Sequence, residues 1–95
     1  MSTARPPLDE RQLDLIRAFL HAYFPSSEMV DAFDAERSAQ RFIVNPNGPD
    51  RHTLYATRDA LDHPDLELLL DERLIDALRL AGVSPVTLTA QGPTY

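Results

Sequence analysis

The chain has 95 residues, of which 43% are apolar and 25% charged, enough for one domain around one core and not for two. Its 15 acids against 9 bases give a net charge of −6. That argues against a broad phosphate-binding surface, so nucleic acid is not an expected partner. The absence of cysteine removes disulfides, thiolate nucleophiles and cysteine-based zinc sites.

No apolar run approaches the roughly 18–20 residues that a membrane helix needs, so no membrane association is expected. The opening "MSTARPPLDE" has no apolar h-region, and a cytoplasmic address is therefore expected. Every basic residue is arginine. With abundant Ala, Leu, Asp and Pro, that composition matches a GC-rich bacterial or phage genome. The arginines are scattered among acids and form no basic run.

Residues 1–7 read as an N-terminal arm, 8–90 as a single globular domain and 91–95 as a C-terminal tail. The first helix has full start signals. Asp9 can cap it, Gln12 follows three residues later as in a capping box, and Leu8 and Leu13 are placed for a hydrophobic staple. Leu13, Ile16, Phe19, Leu20, Tyr23 and Phe24 recur at helical spacing, with Asp14, Arg17 and His21 on the opposite face. Pro25 stops the run.

Residues 26–38 fit two patterns. Met29 and Phe33 suit a short helix at i, i+4. Met29, Asp31 and Phe33 also alternate with Val30 and Ala32, as in a strand. Next come two β-prone runs, 40–45 and 51–57, joined by the prolines, Asn47 and Gly48 of 46–50, which predict a hairpin. Phe42, Val44, Leu54 and Ala56 are assigned to the core. Ile43, Thr53, Tyr55 and Thr57 are assigned to the other face.

A second helix is predicted from 63 or 64 to 81, with a break near Asp71 as a variant. Its inner arc is Leu66, Leu69, Leu70, Leu74, Ala77, Leu78, Leu80 and Ala81, and Leu68 and Ile75 fall on a flank. Gly82 can take a left-handed C′ conformation, with Val83 turned back on Leu78. A last strand is predicted in 85–90, with Thr87 and Thr89 facing away from Val86, Leu88 and Ala90. The order is α-(short α or β)-β-β-α-β. It predicts an α+β, two-layer domain in which two amphipathic helices pack on one face of a small mixed sheet.

The stretch "RDALDHPDLELL" (58–69) is the densest in candidate chemistry. Read as a site, His52, Asp62, His63 and Asp65 would form a mixed nitrogen and oxygen metal set. Read as helix punctuation, Asp62 caps a helix with Pro64 in its first turn, and Asp65 and Glu67 favour the positive end of its dipole. The spacing matches no metal motif, so punctuation is the preferred reading. The chain has no nucleophile elbow or phosphate loop either. An aromatic ring on the sheet, Phe42 or Tyr55, could stack a base beside Arg41, Arg51 and Arg58, but the acidic balance opposes it.

These observations predict a small non-enzymatic interaction protein: an adaptor, regulator or inhibitor. It is expected to bind a protein partner or itself as a homodimer, through a sheet edge or through Ile43, Thr53, Tyr55, Thr87 and Thr89, and to need no cofactor. A small metal-dependent enzyme or metal-binding protein centred on His63, Asp62 and His52 is the second reading.

Overall fold

A computed structural model describes residues 10–94. The expected arm (1–7), the staple at Leu8 and the cap at Asp9 lie outside them. Helix α1 (Glu10–Tyr23) buries Leu13, Ile16 and Leu20 and stops just before Pro25, whose ring excludes the α conformation from the residue ahead of it.

The segment that fitted two patterns is a strand, β1 (Met29–Asp34). Its stop is local chemistry. The Asp34 carboxylate accepts from the backbone N–H groups of Glu36 (3.0 Å) and Arg37 (3.3 Å), a side-chain turn that sends the chain back as β2 (Ala39–Val44). The hairpin to β3 (His52–Thr57) is as expected, but its turn rests on a different residue. Asn45, not the Asn47–Gly48 pair, takes the positive φ of 55°, which asparagine tolerates better than most residues.

The predicted second helix is three pieces: α2 (Arg58–Leu61), α3 (Leu66–Leu69) and α4 (Glu72–Ala81). Asp62 is therefore not an N-cap. It is the C-cap of α2, with its carboxylate 3.7 Å from Arg58. Thr57 caps α2 and Asp71 caps α4, each side-chain oxygen accepting a backbone N–H. Asp65 precedes α3 without a side-chain cap bond. Asp71→Ala is expected to cost about 1 kcal/mol, seen as a lower urea midpoint at unchanged slope. Asp62→Ala should cost under about 0.5 kcal/mol, as for an exposed i, i+4 pair.

The break changes which side of α4 is buried. Ile75, expected on a flank, is 1% exposed, while Leu80, expected inside, is 77% exposed. Gly82 closes the helix at φ 60°, and its N–H reaches the Leu78 carbonyl at 3.2 Å. With ψ at −121° this is not the left-handed helical cap expected from the sequence, and Val83 is exposed.

Strand β4 (Val86–Thr89) lies parallel to β3, and residues placed in the tail form β5 (Gly92–Thr94), antiparallel to β4. The sheet order is β1-β2-β3-β4-β5, with every pairing antiparallel except β3–β4. Phe42, Val44, Leu54, Ala56, Val86 and Leu88 form one cluster with Leu13, Ile16 and Leu20 of α1 and Leu74, Ile75, Ala77 and Leu78 of α4. The result is an α+β fold with a helical layer on one side of a mixed sheet. No described helix is long and apolar enough to cross a membrane.

Candidate functional site

Strand register determines what the other side of the sheet displays. Residues paired across a ladder share a face. The pairs Val30↔Ile43, Ala32↔Arg41, Ile43↔Thr53, Arg41↔Tyr55 and Tyr55↔Thr87 thus run across it, and Thr89 lies two residues beyond Thr87. The five residues named from the sequence, Ile43, Thr53, Tyr55, Thr87 and Thr89, lie together on the face opposite the helices. None of them belongs to the core cluster.

They are not equivalent there. Tyr55 is only 9% exposed, because the Arg37 guanidinium sits over its ring at 4.5 Å, a cation–π contact. The Thr89 hydroxyl donates locally, toward the Gly92 carbonyl at 3.2 Å and the Gln91 side chain at 3.3 Å. Thr57, at the top of the face, sits 3.1 Å from the Leu88 carbonyl and against the Asp59 carboxylate. That bond and the N–H of Ala90 hold the Asp59 carboxyl below the ordinary range. The open part of the face is therefore Val30, Ala32, Arg41, Ile43, Thr53 and Thr87.

The interaction set predicted from the sequence omits Val30, Arg37 and Arg41. Assigning 29–34 as a strand would have supplied Val30. Arg41 needed only the pleat, since it alternates with Phe42. Arg37 had no local signal, because a turn residue's reach depends on how the hairpin closes. Among the described outward strand positions only Asp34 and Arg41 are charged, in a chain that is one-quarter charged.

Three of the four residues of the metal reading are held by other contacts. His52 faces the helices, with Nδ1 3.1 Å from the Leu78 carbonyl and its ring 5.3 Å from that of Phe24. His63 lies between α2 and α3, and its Nδ1 accepts the Asp65 backbone N–H at 3.0 Å. Asp62 is turned to Arg58. No group of three or more His, Cys, Asp or Glu that could hold a metal occurs among the described residues. The rings considered for base stacking are also covered: Phe42 is fully buried, and Tyr55 lies beneath Arg37.

One polar cluster sits on the helix side. Arg17 of α1 grips Asp31 of β1 with two bonds, Nε to Oδ2 at 3.0 Å and Nη2 to Oδ1 at 2.9 Å. Buried Gln40 adds Nε2 to Oδ1 at 2.8 Å. Asp14 holds the guanidinium from α1 at 2.8 Å. The Arg17 bonds lower the Asp31 pKa, against burial, which raises it, and with help from Gln40. The Arg17–Asp31 bonds hold α1 on the sheet, and Asp14 and Gln40 steady the two partners from either side, which makes the cluster a fastening. Searches of known families, curated proteins and solved structures give no match to this chain, and its geometry alone carries the functional argument.

Proposed function

We propose that the chain is a non-enzymatic protein-interaction module that self-associates through the open face of its sheet. It would work as an adaptor, regulator or inhibitor, and a cysteine-free chain suits a cytoplasmic address. The observation that carries this reading is the composition of that face. A sheet face left to water normally carries charged side chains; this one carries hydroxyls, aliphatics and a covered tyrosine. The hydroxyls of Thr53 and Thr87 have no partner among the described residues, and each is both donor and acceptor. A hydroxyl and aliphatic face is thus complementary to a copy of itself, as a two-fold interface requires. Of its two charges, Asp34 is already held by the backbone N–H groups of Glu36 and Arg37 and by the Arg37 guanidinium, which leaves Arg41. The β5 edge is the weaker choice, since it carries Pro93, which lacks a donor for a further strand.

Light scattering behind size exclusion tests this across a concentration series. The parent chain should run at twice its monomer mass. Ile43→Glu adds an unpaired carboxylate twice per dimer and should weaken association about a hundredfold or more. Its melting temperature as a monomer should be close to that of the parent, because Ile43 lies off the core. A parent chain that stays monomeric at high micromolar concentration would overturn the self-association reading.

A further inference from the structure

The helical layer carries a second surface with different chemistry. A cleft of about 250 Å³ lies between α1 and residues 64–68, lined by Gln12, Leu15, Pro64, Asp65, Leu66, Glu67 and Leu68. Leu15, Pro64, Leu66 and Leu68 supply its apolar lining. Leu66 is buried, and Leu68 is 70% exposed at the rim. This volume falls below that of ordinary small-molecule pockets, about 300–1,000 Å³, and suits one long side chain.

The polar groups of the cleft share one property. Gln12 donates through Nε2 to the carbonyls of Leu61 (3.0 Å) and His63 (3.3 Å). Those bonds fix the amide, and the atom left over is the acceptor Oε1. No buried side-chain polar atom among the described residues lacks a partner, so Oε1 is reachable from outside. Asp65 is the N-cap of α3 but makes no side-chain cap bond. Neither Asp65 nor Glu67 has an ion-pair partner among the described residues. The side chains of the cleft therefore present acceptors, two of them carboxylates, beside a leucine surface.

A ligand that matches it brings donors without acceptors at the end of an aliphatic stem. Only lysine and arginine side chains have that combination. We infer that this cleft is a docking site for an arginine- or lysine-bearing apolar segment of a protein partner. The stem would lie along Leu15 and Leu68, and the cation would reach Asp65, Glu67 and Gln12 Oε1. The cleft lies on the opposite side of the sheet from the self-association face. Each copy of a dimer would then offer one cleft, and a partner with two basic segments would gain from their linkage.

The test is a ¹⁵N–¹H shift titration of the full chain with a capped hexapeptide alternating arginine and leucine. A version with glutamate for arginine is the control. Shifts should concentrate at Gln12, Leu15 and residues 65–68, and the control should give none there. Asp65→Asn with Glu67→Gln keeps the shape, removes both charges and should weaken binding roughly fivefold, as for two exposed ion pairs. Leu68→Asp should remove binding while leaving the fold intact, since Leu68 is exposed. Shifts spread over the whole acidic surface, or affinity unchanged in the double variant, would overturn the assignment. The result is separable from self-association, because Ile43→Glu should leave this titration unchanged.

Discussion

Phe42→Ala should cost about 3–5 kcal/mol, the range for deleting a fully buried aromatic ring. Phe42 is 0% exposed and paired on both sides, to Asp31 in β1 and Leu54 in β3. Its ring meets the helices from the middle of the sheet, where neither layer can easily close over a void. For a domain of this size the loss corresponds to a fall in melting temperature of about 12 °C or more. Leu80→Ala is the control on the same measurement. With Leu80 77% exposed, the change should stay within about 0.5 kcal/mol. A comparable loss at both positions would mean that the buried side of α4 is not the one described.

Arg17→Ala should cost about 1–3 kcal/mol. The guanidinium makes two charge-assisted bonds to Asp31, and its removal leaves a half-buried carboxylate with Gln40 as its remaining donor. The pH dependence gives the same pair a second signature. The folded state lowers the Asp31 pKa, so Asp31 stabilises fully above the ordinary carboxylate pKa near 3.9. That stabilisation is lost as pH falls through the lowered folded-state value. Asp59 has the same sign. Urea unfolding from pH 6 to pH 2 should therefore show a shallower acid limb in Asp31→Asn and in Arg17→Ala, and not a flat one. An acid limb identical to the parent's in both variants would mean that the pair is not coupled in solution.

The parts of the fold that could be read in advance are those with a single period. Phe42, Val44, Leu54 and Ala56 alternate with polar or outward residues, and a strand needs nothing more to assign its faces. That alternation also brought Ile43, Thr53, Tyr55, Thr87 and Thr89 onto one surface. Met29 and Phe33 obey both periods at once, and only pairing with β2 decides between them. The α4 error has a different cause. Leu66 and Leu69 set a helical phase that the chain abandons at 70–71, so a correct period was carried over a break. Asp62 looked like a cap because Asp-His-Pro is a good helix start. The helix that exists there begins earlier, at Thr57, and ends at that aspartate. The Arg17–Asp31–Gln40 fastening and the bonds from Gln12 to Leu61 and His63 join residues far apart in sequence. No local pattern encodes them.

The single parallel pairing in the sheet has a kinetic side. Strands β1, β2 and β3 are joined by short connections, residues 35–38 and 45–51, so each can pair with its neighbour soon after it is made. Strand β4 cannot. It reaches β3 only after residues 58–85 have crossed the sheet, and contacts that close a long loop form slowly. Until residues 86–89 are in place, the β3 edge at Leu54–Ala56 has no partner strand. The core is complete only when α4 supplies Leu74, Ile75, Ala77 and Leu78 and β4 supplies Val86 and Leu88. Over that interval the chain is most exposed to pairing with the wrong neighbour.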